Sequence, residues 1–193
     1  MNILIDNVFW MTFNGMLALI PVFLSWGFLK TKKKFFRVIC LFLWLIYLPN
    51  TLYLFTDLIH LSRQWLRVED SDKIILLFQY FALETVGLIT FMLAVAPFER
   101  FLFTSKWRKE KKLNCTLILL VNLSIGFGIV LGRVERINSW EILTAPMKVA
   151  DSVFQIIGSV ELIFMALLFG LFANALYFIF RKPFLKFTQR IDK

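Results

Sequence analysis

Apolar and polar positions alternate along the chain in long blocks, with five apolar runs at residues 8–29, 36–55, 74–96, 113–131 and 153–180. Each is long enough to cross a hydrocarbon core of about 30 Å, which takes about 20 helical residues. The pattern predicts an all-α fold: a polytopic transmembrane bundle of five helices, forming a single domain over residues 1–193. The first run follows MNILIDN, which lacks Lys and Arg, and it exceeds the apolar core of a signal peptide, so it is expected to be retained. Pro97 is expected to end the third span, and Pro21 and Pro49 to kink the first and second by freeing a carbonyl.

Within the second block a finer pattern appears. In PNTLYLFTDLIHLSRQWLR, the polar residues Asn50, Tyr53, Asp57, His60, Gln64 and Arg67 recur every three or four positions, which puts them on one helix face. Leu58, Leu61, Trp65 and Val68 form an apolar stripe beside them, so the helix is expected to continue past the membrane and lie along the headgroups. In the fourth connection, Asn138 followed by Glu141 resembles a capping box and predicts a short helix.

Composition agrees with the block pattern. The chain is 59% hydrophobic, with a mean hydropathy of +0.73, beyond the roughly 45–50% apolar usage of soluble domains. Its net charge of +9 would suit nucleic acid, but the distribution argues against that partner. Of 22 basic residues, 16 fall in the segments after the first, third and fifth runs, including Lys30 to Arg37, the KWRKEKK run from Lys106, and Arg181 to Lys193. Those segments share one side of the membrane, which by the positive-inside rule is the cytoplasm, so the N-terminus is expected outside. Trp10, Trp65 and Trp140 fall at the outer boundary and Trp26 and Trp107 at the inner one, as interfacial aromatics do. The expected location is the cell (cytoplasmic) membrane, multi-pass. Cys40 and Cys115 do not suggest a disulfide framework.

Two carboxylates lie inside the apolar runs. Glu84 is expected about 15 Å deep and Glu161 about 12 Å deep, counting 1.5 Å per residue. A carboxylate at a helix centre costs about 2.5–3.5 kcal/mol, so it faces the interior, finds a partner or is neutral. At least one of the two is expected to be neutral unless Arg133 or Arg136 reaches inward. Asp57, His60 and Glu84 could hold a divalent metal, but a catalytic zinc has three protein ligands in a recognisable arrangement, so no metal and no cofactor is expected. Alternatively His60 acts as a proton acceptor oriented by Asp57, with Glu84 as a buried acid. Arg133 and Arg136 would then clamp an anionic group. Asn50, Tyr53, Asn138, Trp140 and Glu161 complete the candidate ligand-binding set. A purely structural reading also stands, in which Asp57 pairs with Arg133 and Asn50 bonds between helices.

LPNTLYLFTDLIHL, with GRVERINSWEIL some 80 residues later, resembles the bacterial membrane-protein family catalogued as domain of unknown function 1361, over nearly the whole chain. The family pattern falls on Pro49, Asn50, Thr56, Asp57, His60 and Leu61, and on Gly132, Arg133, Arg136, Asn138, Ser139 and Trp140. Glu141 stands where an Asp is more common, and the carboxylate is kept. The resemblance implies a bacterial cytoplasmic membrane location and points to the same two segments; it implies no activity.

Three functions remain open on these residues. The first is an outward-facing polar pocket that binds or processes a lipid or cell-envelope precursor with an anionic headgroup. The second is a small proton- or ion-coupled transporter subunit using Glu84 and Glu161, although the chain shows no internal repeat. The third is an accessory protein packed against a membrane-protein partner or a second copy of itself. Cytosolic nucleotide or redox chemistry is not suggested, since GxxxxGK[ST], CxxC and HExxH are missing from the sequence.

Overall fold

The computed structural model describes residues 3–104 and 111–190. Lys106, Trp107, Arg108 and Lys109 of the basic run, and Lys193, lie outside the described residues. The described chain is helical, in the order α1 (Ile3–Lys30), α2 (Lys34–Tyr47), α3 (Pro49–Thr56), α4 (Leu58–Trp65), a 3-10 turn (Asp70–Asp72), α5 (Lys73–Thr104), α6 (Lys111–Arg133), α7 (Glu141–Thr144), α8 (Pro146–Gly158) and α9 (Val160–Arg190). Five helical stretches are long and apolar enough to cross a membrane: Ile3–Lys30, Lys34–Trp65, Asp70–Phe103, Lys112–Arg133 and Val160–Gln189. The expected five-helix architecture is therefore what the chain forms. We call the end of the bundle that holds the start of α1 the N-terminal end. The α4–α5 and α6–α9 connections lie at that end too.

The second span is segmented for a local reason. Pro49 carries no N–H, so the ladder lapses after Leu48, and the helix restarts with Pro49 in its first turn. A second lapse follows at Asp57, where the tighter bonds Asp57 N–H to Leu54 O (3.1 Å) and His60 N–H to Asp57 O (2.8 Å) take over. α4 does continue beyond, but it does not lie free along the headgroups. Leu61, Trp65 and Val68 pack on the cluster formed by Leu4, Leu76 and Tyr80, while Leu58 is exposed.

Two boundaries differ from the sequence expectation. Pro97 lies inside α5 rather than ending it. The carbonyl of Leu93, which its missing N–H frees, faces the Ser25 hydroxyl at 3.4 Å, and the next carbonyl, Ala94, accepts the Trp44 indole N–H at 3.0 Å. The single Ser25 proton lies closer to the Val22 carbonyl, at 2.7 Å, so these side chains flank the interruption and do not replace the missing bond. The last span begins at Val160, not at residue 153, because Ser159 is extended (φ −112°, ψ 114°) and separates α8 from α9. At 31 residues, α9 is long enough to cross by itself.

Small residues set how close the helices come. α6 packs chiefly on α9, where a Cβ on Gly126 would overlap the Ala166 carbonyl and the Gly170 backbone. The buried Asn122 amide donates to Asn174 Oδ1 at 3.1 Å across the same seam. On its other face, α6 offers Gly128 and Gly132 to α3: a Cβ on Gly128 would overlap the Pro49 ring, and one on Gly132 would come within 3.2 Å of the Tyr53 ring. Pro49 and Tyr53, four apart, therefore sit in the notches of two glycines that are also four apart. Gly87 of α5 closes the other flank, its Cβ position 2.9 Å from the Thr51 carbonyl.

Candidate functional site

Seating α3 against α6 in this way brings the family-motif segments together at the N-terminal end. Asp57 is 2% exposed, and Arg133, the last residue of α6, reaches it with Nη1 donating to Oδ1 at 3.0 Å. The same guanidinium donates from Nη1 to the Tyr53 hydroxyl at 3.4 Å and from Nη2 to the Thr56 carbonyl at 2.9 Å. It also lies 5.6 Å from the Tyr53 ring centre, within cation–π range. Arg133 Nη2 faces His60 Nε2 at 3.4 Å. His60 Nε2 is 4.0 Å from Asp57 Oδ1.

Asn50 bridges from α3 to the α6–α7 connection, its amide donating to the Ser139 hydroxyl at 3.1 Å. Past α6 the chain turns through Arg136, which has left-handed backbone (φ 54°). That turn folds Ile137 into the bundle, where its N–H reaches the Leu131 carbonyl at 3.1 Å. It leaves Arg136 exposed. Glu141 then draws back on the turn, accepting the Asn138 N–H at 2.6 Å and Lys148 Nζ at 2.5 Å.

These contacts hold the Glu141 carboxylate below its usual range, the Asn138 N–H first and Lys148 second. With the folded value lower than the unfolded one, the contribution is complete above the ordinary carboxylate range. It is lost as pH falls through the lowered value. The protection factor of the Asn138 amide, its exchange rate relative to the unstructured rate at the same pH, is therefore expected to hold through neutral and mildly acidic pH and to fall only in stronger acid; a fall in protection near neutrality would contradict the contact.

These elements enclose a cavity of about 470 Å³ between α1 and α6, floored by α2, α3 and α4. Asn50, Tyr53, Asp57, His60 and Arg133 line it, together with Asn138 and Trp140. Along the second span the lining runs from Ile46 at its inner limit through Asn50 and Tyr53 to Asp57, His60 and Gln64, and aliphatic groups, Leu17, Leu131, Ile142 and Val149, are interspersed with the polar Asn138 and Ser139. The α4 wall is pinned by an amide network: Asn7, 1% exposed, exchanges two 2.8 Å bonds with Gln64, and Tyr80 donates to the same Gln64 Oε1 at 3.2 Å.

Three predicted site residues lie elsewhere. Arg136 does not line the cavity, so the two-arginine clamp is not assembled; its turn conformation is the reason. Glu161 is exposed in the first turn of α9 rather than about 12 Å along a span, because that helix starts seven residues later than expected. Glu84 is inside the bundle with both carboxyl oxygens buried and without a hydrogen-bond partner, and it does not line the cavity. Among the described residues, no three of His, Cys, Asp and Glu gather as metal ligands would. A neutral isostere should therefore suit the Glu84 site: Glu84→Gln is expected to change thermal stability by less than about 1 kcal/mol, and a loss of several would show that a charged carboxylate is needed there.

Sequence reasoning missed several partners. Asn14 of α1 faces Asp57 Oδ2 at 3.4 Å. At the opposite end, Glu99 is 1% exposed and accepts both the Tyr177 hydroxyl and Arg181 Nη2, the latter at 2.7 Å. The i, i+4 spacing of Tyr177 and Arg181 is the signal that pointed there.

The geometry joins the two motif blocks, Pro49 to Leu61 and Gly132 to Glu141, into one structural unit. No curated protein and no solved structure matches the chain. Residues 13–176, most of the length, match the model of the family described as "Protein of unknown function (DUF1361)", and the chain belongs to that family.

Proposed function

We propose that the cavity between α1 and α6 binds a membrane amphiphile, a lipid or a lipid-linked cell-envelope precursor. Its headgroup lies by Asn50, His60 and Arg133, and its chain runs past Leu17 and Leu131 toward Ile46. The observation that carries this reading is the mixed lining of one cavity, in which hydrogen-bonding groups such as Asn50, His60 and Ser139 stand beside aliphatic ones such as Leu17, Ile46, Leu131 and Val149. A soluble polar metabolite would leave the aliphatic walls unfilled, whereas an amphiphile satisfies both, and the volume is in the range of small-molecule sites, about 300–1,000 Å³. By the distribution of basic residues, the headgroup end faces outward. An anionic group would meet Arg133 alone, so the proposal keeps the headgroup position and drops the second arginine. His60 Nε2 faces the Arg133 guanidinium at 3.4 Å, a contact with a fixed cation that favours binding over acid–base chemistry.

Native mass spectrometry of gently extracted protein tests the reading. The parent is expected to carry an amphiphile adduct that Leu17→Trp, which fills part of the cavity from the α1 wall, removes. An adduct retained in a folded Leu17→Trp variant would contradict the assignment.

A further inference from the structure

The charges in the cavity bear on the headgroup. Only Asp57 and Arg133 among the lining residues carry a formal charge, and they are paired with each other. Arg133 is further committed to Tyr53, Thr56 and His60. A bare phosphate needs uncompensated donors or cations, and an ammonium group needs a free carboxylate or an open aromatic cage. Neither is offered. What remains is the residual capacity of neutral groups: Asn50 and Ser139, bonded to each other, each keep an acceptor lone pair and Asn50 a second amide N–H, while Gln64, its oxygen filled by Asn7 and Tyr80, keeps one N–H. Two indoles, Trp10 and Trp140, lie at the same end, and Trp140 is 40% exposed.

We propose that the headgroup is an uncharged, hydroxyl-rich ring, a glycosyl group, whose hydroxyls exchange bonds with the amides and Ser139 while its C–H face packs on an indole. This rests on the amphiphile reading above and specifies its headgroup. Hydroxyls match groups that donate and accept in the same place, and aromatic side chains with a polar edge suit a ligand that is apolar on its faces and wet at its rim. Any phosphate in such a ligand would lie outside the cavity, toward the interface.

The test uses the full chain in phosphatidylcholine nanodiscs, probed with a monoglucosyl diacylglycerol, a phosphatidylglycerol with the same acyl chains, and free methyl glucoside. Retention is read by native mass spectrometry and by tryptophan fluorescence. The glucosyl lipid is expected to be retained over the phosphatidylglycerol by about tenfold, and Trp140→Ala to remove about that factor, with Trp140→Phe recovering most of it. Trp140 is half exposed, so its removal leaves the bundle core intact. Competition by methyl glucoside would support the glycosyl chemistry with a soluble sugar as its source; no competition, beside retention of the glucosyl lipid, would support the lipid-linked source. Preference for phosphatidylglycerol would overturn the glycosyl headgroup and leave the amphiphile reading standing. Retention of no lipid would overturn both.

Discussion

Replacing Arg133 with alanine is expected to cost about 3–5 kcal/mol of folding stability, because it leaves a buried carboxylate without its counter-charge. Asp57 is nearly inaccessible, and its remaining neighbours, Asn14 at 3.4 Å and His60 at 4.0 Å, are too long to replace a 3.0 Å ion pair. Asp57→Asn strands the arginine instead, with a smaller loss, since Arg133 is about a quarter exposed and keeps the Thr56 carbonyl. The double variant Asp57→Asn, Arg133→Gln is expected to recover most of the Arg133→Ala loss, because two neutral amides can satisfy each other where two charges did. Reversible unfolding in mixed micelles would measure this. With Arg133→Gln as the matching single variant, a double variant whose loss equals the sum of the Asp57→Asn and Arg133→Gln losses would mean that the pair is not coupled.

Gly128→Ala is expected to cost about 1–3 kcal/mol by overpacking. A Cβ there meets the Pro49 ring, which is rigid and cannot rotate away. The strain should propagate to function, because Pro49 is the point at which α3 docks on α6, and Asp57 and Tyr53 reach Arg133 only while α3 is docked. Amphiphile binding is therefore expected to fall together with stability. Gly158→Ala is the matched control, since nothing lies within 4 Å of a Cβ at that position. Equal effects of the two substitutions would show that the close approach of α3 and α6 is not what builds the cavity.

The five spans were legible because the length of an apolar run is a global property, insensitive to local detail. Their ends were less legible. Pro97 reads as a helix stop, yet α5 continues past it, with Ser25 and Trp44, distant in sequence, packed beside the carbonyls around the interruption. The break at Ser159 gives the opposite lesson, since Gly158 and Ser159 sit in an apolar run whose composition conceals a change from α8 to α9. The candidate site was legible where it depended on helical spacing: Asn50, Tyr53, Asp57, His60 and Gln64 line the cavity together, as their three-and-four pattern implied. The pairing of Asp57 with Arg133, open as one of several readings, is formed. Arg136 and Glu161 were misplaced because their positions depend on a left-handed turn and on a helix boundary, which spacing does not report. Asn14 and Asn7 stood outside any motif and acquired their roles only when α1 packed against the rest.

The central claim is that the cavity holds an amphiphile with its head at the Asn50–His60–Arg133 end. An experimental density map of the protein in a lipid nanodisc tests it most directly. The account predicts elongated density between α1 and α6, running from Ile46 and Leu17 to His60 and broadening beside Trp140. A well-resolved bundle in which α1 closes on α6 and leaves no such density would contradict it.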